Sequence, residues 1–177
     1  MTGPRDQIDA RTVIERYKSE FPELQPHGDG AYAGSMWHIM ALAHQIIVNL
    51  DVMLRERKLS AADIFVMSVI FIEGDGRARP SDVARVLSVT PAAISLRIAK
   101  LADKGFIVRE AAGGDRRTAK LSLTAEAAAL VRGVLADISV NSGFARSIAR
   151  LSTEKRVQLE SLLSDVATEM ARHVVTE

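Results

Sequence analysis

The stretch from Thr90 to Thr124 constrains the fold more strongly than any other part of the chain. Thr90 is a favourable N-cap residue, and Pro91 follows it at the first helical position, where the N–H that proline lacks would have no partner. Three apolar residues then recur at the spacing of one helix face, and a glycine marks the end of the helix: Ile94, Ile98, Leu101 and Gly105. The stretch therefore opens with an amphipathic helix.

Two short segments of β-forming residues follow this helix, at 106–108 and 121–123. Gly113–Gly114 predicts a turn between them. Three charged residues come directly after the two glycines: Asp115, Arg116 and Arg117. A pair of strands with a basic turn, next to an amphipathic helix, is the layout of a winged helix-turn-helix.

The face of the helix that points away from its apolar stripe is suited to a DNA major groove. Its residues are mostly small, so the backbone could approach base edges closely. Arg97 lies nearer the edge of the core, where it could contact a phosphate at least as readily as a base. Alternatively, Arg97 and Lys100 belong to an ordinary solvated face. The predicted DNA-contacting residues are Thr90, Ala92, Ala93, Ser95, Leu96, Arg97, Lys100, Asp115, Arg116 and Arg117.

Helices are also predicted before this unit. They lie at about residues 6–21, 32–57, 60–71 and 82–87. Ser60 and Asp63 form a box-like N-cap pair for the third of them, and Ser81 is predicted to cap the fourth. The third helix is apolar on all sides, which predicts a central position. Together with the helix that begins at Pro91, the fourth completes a helix-turn-helix.

Two long helices are predicted after it. Thr124 caps the first, which runs to about Arg150 with a bend near residues 141–143, and Ser152 caps the last. One small domain cannot bury the apolar stripes of both helices, which predicts a homodimer. The alternative is that the first helices cover these stripes within one chain.

The predicted fold class is therefore mainly α. We expect one domain over residues 1–177, with a winged helix-turn-helix DNA-binding module at 60–123 and dimerisation helices at 1–57 and 124–177. The formal net charge is only +1, so the DNA-binding surface must be a local patch. A dimeric helix-turn-helix predicts double-stranded DNA with a palindromic operator as the partner.

Composition excludes several other classes of protein. The chain has no cysteine, which excludes disulfides, thiolate nucleophiles and thiol-based oxidation sensing. No apolar run is expected to approach the roughly 20 residues that span a bilayer, and the polar N-terminus is no signal peptide. We therefore expect a cytoplasmic protein that does not contact membranes.

No motif predicts an enzyme, a cofactor or a metal site. The chain has no glycine-rich phosphate loop and no nucleophile elbow. His38 and His44 are six residues apart, so they lie on different helix faces and form a poor metal-binding pair. A zinc site that combines these two with His27 and His173 is an alternative that nothing in the sequence supports.

The run KLADKGFIVRE followed by GGDRRTAKLSLTAE is similar to the signature of the MarR (multiple antibiotic resistance regulator) family of transcription factors. The similarity extends from about Trp37 to Val174. In that family an aspartate and an arginine two residues further on brace the tip of the wing, and this arginine enters the minor groove. The resemblance implies that Asp115 and Arg117 have these two roles here.

The segment ERYKSEFPELQP and the run from Ser95 to Ile98 resemble the urate-responsive branch of this family. The ligand positions differ, however. Tyr17 stands where that branch has tryptophan, His38 where it has arginine, and Phe65 where it has aspartate. Because the contacts that match the charge of a purine anion are lost, we do not expect urate to be the ligand.

A flatter, more apolar effector, for example an aromatic acid or its thioester, suits a different set of residues: Trp37, Met40, His44, Phe65 and Phe71. A repressor released from its operator by such an effector is the predicted function. The predicted ligand-binding residues are Tyr17, Trp37, His38, Met40, His44, Phe65 and Phe71. Two alternatives remain. Five of these residues could be ordinary core: Trp37, Met40, His44, Phe65 and Phe71. The winged helix could also bind proteins without contacting DNA.

Overall fold

A computed structural model describes residues 10–22, 31–73, 78–110 and 120–174 of the chain. Within these ranges the fold is mainly helical, as predicted, with one two-stranded antiparallel sheet. The elements are α1 (Ala10–Glu20), α2 (Ala31–Leu54), α3 (Ala61–Glu73), α4 (Pro80–Val86), α5 (Pro91–Asp103), β1 (Ile107–Glu110), β2 (Lys120–Leu123), α6 (Ala125–Asn141), α7 (Gly143–Ile148) and α8 (Thr153–Val174). A single 3₁₀ turn, Arg55–Arg57, follows α2.

The chain divides into two compact units, Met1–Val52 and Met53–Glu177. In the first unit α1 lies against the beginning of α2. Ile14 and Ala33 are both buried there, and a Cβ atom placed on Gly34 would lie 3.5 Å from Cγ2 of Ile14. This is ordinary van der Waals contact, so a small residue at position 34 lets the two helices approach closely.

Helix α3 is the centre of the second unit, as its sequence predicts. Its apolar residues are buried on several sides of the helix, and α4, α5, α6 and β2 all pack against it. Around it lie buried residues from each of these neighbours: Val83, Ile94, Ile98, Leu101, Leu121, Val131 and Val134. The core of this unit is therefore the seam between α3 and the helix-turn-helix, closed on the other side by α6.

Helix caps follow the local sequence closely. The side-chain oxygens of Thr90 and Thr124 accept hydrogen bonds from the backbone N–H groups three residues on, at 3.3 and 3.2 Å. Ser152 does the same for Lys155 at 3.4 Å. Gly105 has a φ of +75°, a conformation that glycine adopts without strain, and it ends α5. These caps confirm the predicted boundaries.

Two details differ from the predictions. The helix predicted to be capped by Ser81 begins two residues earlier than expected, because Pro80 occupies its first turn and the extended Arg79 is the N-cap residue. The helix predicted to bend near residues 141–143 is instead two helices, α6 and α7, because Ser142 adopts an extended conformation and caps α7 through the N–H of Ala145.

The expectation that no apolar segment is long enough to span a bilayer was wrong. The helix over Tyr32–Arg57 has 26 residues and contains an 18-residue window of mean hydropathy 1.3, which meets the requirement by length and composition. A single such helix is weak support for a membrane span, since the core helices of soluble proteins meet the same requirement.

Candidate nucleic-acid interface

The helix-turn-helix is formed by α4, a tight turn and α5. Ser88 in the turn adopts a left-handed conformation, with a φ of 52°. This conformation lets the N–H of Val89 donate to the carbonyl of Ala84 at 3.0 Å, so the backbone closes the end of α4 before α5 begins. The turn therefore fixes where α5 starts.

Helix α5 has one buried and one exposed face, as predicted. Ile94, Ile98 and Leu101 are 2% exposed or less. Most of the residues that were predicted to contact DNA are exposed on the remaining surface of this helix and at its N-cap: Thr90, Ala92, Ala93, Ser95, Leu96 and Lys100. Because most of these side chains are short, the backbone of α5 is accessible to a partner along its first two turns.

Arg97, a member of the predicted set, forms an ion pair inside the protein. One of its terminal nitrogens, Nη1, donates to Oδ1 of Asp63 at 2.7 Å and to Oγ of Ser60 at 3.2 Å. The side chain of Asp63 is 1% exposed, whereas that of Arg97 is 34% exposed. A phosphate contact by Arg97 stays a prediction, but its charge is already engaged by a buried carboxylate.

The same carboxylate closes the N-terminus of α3. Its second oxygen, Oδ2, accepts from the N–H of Ser60 at 3.0 Å, and the N–H of Asp63 donates to the hydroxyl of Ser60 at 3.2 Å. This reciprocal arrangement is the capping box that the sequence predicts. Asp63 therefore has two functions at once: it caps α3 and holds Arg97 of α5.

At Asp63 hydrogen bonding and the nearby guanidinium together affect the pKa more than burial does. Burial alone would raise the pKa of this carboxyl group. The backbone and side-chain hydrogen bonds from Ser60, together with the Arg97 guanidinium, stabilise the charged form and hold the pKa below its ordinary value of 3.8. The pair is therefore ionised throughout the physiological pH range.

The described part of the wing is a two-stranded sheet. Strands β1 and β2 are antiparallel, and Ile107 pairs with Leu123 at one end while Glu110 pairs with Lys120 at the other. Arg109 on β1 is exposed, and its Nη2 donates to the backbone carbonyl of Ser95 at 3.5 Å. This basic side chain beside α5 was not in the predicted set, although its place in a β-strand directly after the helix could have indicated it.

The part of the wing between these strands lies outside the described residues. It includes three residues predicted to contact DNA: Asp115, Arg116 and Arg117. Their predicted roles stay predictions.

The residues predicted to bind an effector lie in both units. On α2, Trp37 and Met40 are 40% and 59% exposed, and His38 and His44 are exposed as well. Phe65 on α3 is 38% exposed. The alternative that Trp37, Met40, His44 and Phe65 are ordinary core of a single chain was therefore wrong, while Phe71 is half-buried.

The other two residues of that set have aromatic or cationic neighbours. The ring of Tyr17 lies 5.8 Å from that of Phe21 between centroids. The guanidinium carbon of Arg132 lies 5.7 Å from the centroid of Phe71, a cation–π contact.

Two cavities each include one residue of this set. In the first unit, a cavity of about 310 Å³ between α1 and α2 is lined by His38 together with Arg11, Ile14, Glu15, Lys18, Gly34 and Ser35. In the second unit, a smaller cavity of about 170 Å³ lies between Phe65, the α4–α5 turn and Arg97. Among the residues that the structure describes, no cluster of three or more metal-ligating side chains is present.

Comparisons with known proteins agree with the fold and the sequence pattern. Residues 69–118 match the model of the MarR family. Over 161 residues the chain is 24% identical to the HTH-type transcriptional regulator PecS of Dickeya dadantii (strain 3937), an alignment that covers 90% of this chain and 93% of PecS.

The fold is shared by solved structures, among them two complexes with DNA. One is the MepR–DNA complex of S. aureus, with a TM-score of 0.68 and 17% identity over 76% of this chain and 96% of MepR. The other is a mutant of MarR from E. coli complexed with operator DNA, with a TM-score of 0.65 and 23% identity over 82% of this chain and 96% of that one. Both confirm the predicted winged helix-turn-helix. Together with the family model, which matches residues 69–118, and the similarity to PecS, they support the resemblance of this chain to the MarR family.

Proposed function

We propose that this protein is a cytoplasmic, homodimeric transcriptional regulator that binds double-stranded DNA by placing α5 in the major groove. The observation that carries the proposal is the division of α5 into a fully buried apolar face and an exposed face of small and polar residues, including Ser95 and Lys100. A major groove admits one helix, and short side chains let its backbone come close to the bases. Two proteins with this fold, MepR and MarR, were solved with DNA.

The experiment that tests the proposal begins with selection of bound sequences from a pool of random DNA duplexes. Fluorescence anisotropy then measures the Kd for the selected duplex and for a scrambled one at several stated salt concentrations. We expect a selected sequence that binds at least about 10³ times more tightly than the scrambled duplex, with affinity that falls as salt rises. The absence of any selected sequence would favour the alternative of a protein-interaction module.

The dimer is supported by apolar side chains that one chain leaves exposed. On α8 these are Leu162, Leu163, Val166 and Met170, which are 44–63% exposed and recur at the spacing of one helix face. Helix α2 also exposes apolar side chains, on more than one of its faces, among them Met36, Ile39, Leu42, Ile47 and Val48. Contiguous apolar surface of this kind marks a protein–protein interface.

We therefore expect light scattering to give twice the mass of the 19.2 kDa chain at micromolar concentration. Replacing both Leu163 and Val166 by glutamate should give a monomer, because charges in an apolar interface lose their hydration. Ser161→Glu is the matched control, since Ser161 lies on the opposite side of α8. A monomeric wild-type protein would contradict the proposed dimer, and with it the expected half-site spacing of about 34–36 Å.

An apolar effector is supported by the exposed stripe of α2. Trp37, Met40 and His44 are spaced by three and four residues, so they share one face of the helix, and all three are exposed. A flat aromatic acid could stack on Trp37 while His44 contacts its carboxylate. Release of DNA would follow if this ligand bound a dimer in which the two α5 helices no longer match the groove spacing.

The effector hypothesis predicts reciprocal weakening between ligand and DNA. A thermal-shift screen with aromatic carboxylates should find a ligand, and that ligand should lower the affinity for the selected duplex. The variants Trp37→Phe and His44→Ala should each bind it more weakly while they keep their fold. Unchanged ligand affinity in both variants would exclude α2 from the ligand site.

A further inference from the structure

Leu96 is the most exposed large apolar side chain among the residues that the structure describes, at 76%. It lies two residues after Ile94 and two before Ile98, and two residues turn a helix by about 200°. Its side chain therefore points almost directly away from the core of the module. A single exposed leucine is ordinary on a protein surface. Leu96 differs from an ordinary exposed leucine because it lies in the middle of the outward face of α5, which is the face proposed to contact DNA.

The neighbours of Leu96 on this face are shorter or hydrophilic. One turn before it lie Ala92 and Ala93, and one turn after it lies Lys100, all exposed. Arg97, the adjacent long side chain, is held by Asp63 at 2.7 Å. In the first half of α5, Leu96 is consequently the side chain that extends furthest toward a bound partner.

A leucine can read only one feature of a DNA major groove. Its side chain has no hydrogen-bond donor or acceptor, so the polar edges of the bases gain nothing from contact with it. Thymine differs from the other bases by its C5-methyl group, which offers an apolar contact in the major groove. We propose that Leu96 is a specificity-determining residue that recognises the C5-methyl group of one thymine in each half-site. This inference rests on the proposed function, since it assumes that α5 enters the groove.

The test replaces each thymine of the selected duplex, one at a time, by deoxyuridine, which lacks the methyl group. For the wild-type protein one replacement in each half-site should raise the Kd about fourfold, which corresponds to the roughly 0.8 kcal/mol of one buried methyl group. In Leu96→Ala the same replacement should have no effect. Ile72→Ala is the matched control, because Ile72 is 75% exposed on α3 and should leave the deoxyuridine effect unchanged.

Two outcomes would overturn this role of Leu96 while the proposed function stands. The wild-type protein could bind every deoxyuridine duplex as tightly as the unmodified one, or Leu96→Ala could keep the full fourfold effect. A wild-type protein that selects no duplex at all would instead overturn the proposed function together with this inference.

Discussion

Replacement of Arg97 by methionine should lower the free energy of unfolding by about 2 to 3 kcal/mol. Removing one partner of a fully buried ion pair costs about 3–5 kcal/mol, because the other charge is left without compensation. Asp63 is 1% exposed, but Arg97 is 34% exposed and Ser60 would still bond to the carboxylate. These two facts place the expected cost below the full range. Urea denaturation at pH 7 measures it.

An exposed pair in the same module provides the control. Arg85 and Asp82 are 2.9 Å apart on α4, with the Arg85 side chain 78% exposed. Arg85→Met should change stability by less than about 1 kcal/mol, since surface ion pairs contribute little. A double-mutant cycle with Asp63→Asn should give a coupling energy of about 1–3 kcal/mol for the Arg97 pair. Additive effects of the two substitutions would show that this contact does not stabilise the fold.

The pH dependence of stability should report the same pair. The pKa of Asp63 is lowered in the folded state, so the folded protein binds fewer protons than the unfolded chain below pH 3.8. The contribution of Asp63 is therefore complete above pH 3.8 and is lost as pH falls through the lowered folded pKa. In Arg97→Met the folded pKa of Asp63 should be less depressed, so this loss should be smaller and should end at a higher pH, which acid titration of the unfolding free energy can detect.

The ion pair also connects the fold to the proposed function. Asp63 belongs to the capping box of α3, and α3 is the helix on which the rest of the second unit packs. Arg97 is in the middle of α5. The contact therefore joins the start of the central helix to the helix that is proposed to enter the major groove. It helps to hold α5 in its orientation against α3.

Local chemistry explains why much of the fold could be predicted from the sequence. Thr90, Pro91 and Thr124 form helix N-termini through contacts within three residues along the chain. The same holds for Gly105, where a positive φ is required. The predicted N-cap at Ser81 was wrong. Serine is a favourable N-cap residue, but the proline before it is itself well suited to the first turn of a helix, and α4 begins there.

Contacts between distant residues could not be predicted in this way. Asp63 and Arg97 are separated by 34 positions, and nothing near either residue indicates the other. The capping box was visible because Ser60 and Asp63 are three residues apart. The sequence instead favours Arg97 as a side chain that contacts DNA. Likewise, the apolar residue types at Trp37, Met40 and Phe65 could not distinguish core from surface, since hydrophobicity alone does not report exposure.

Replacement of Arg117 by alanine should weaken binding of the selected duplex by about 1–3 kcal/mol, with little effect on folding stability. Arg117 lies between β1 and β2, whose Glu110–Lys120 pairing ends the described part of the wing. A planar guanidinium suits the negative potential of a narrow minor groove. Fluorescence anisotropy at fixed salt measures the loss, and urea denaturation checks the fold. Lys155→Ala on α8, outside the winged module, is a control that removes one positive charge.

Asp115 provides the more discriminating test of the wing. We expect this aspartate to orient Arg117 through a charge-assisted hydrogen bond, so Asp115→Ala should weaken DNA binding too. General electrostatics predicts the opposite, because removal of a negative charge close to phosphates should strengthen binding. The two explanations therefore differ in the sign of one measured change. Tighter binding by Asp115→Ala would mean that Asp115 does not orient Arg117 and that the wing contributes only as a diffuse basic surface.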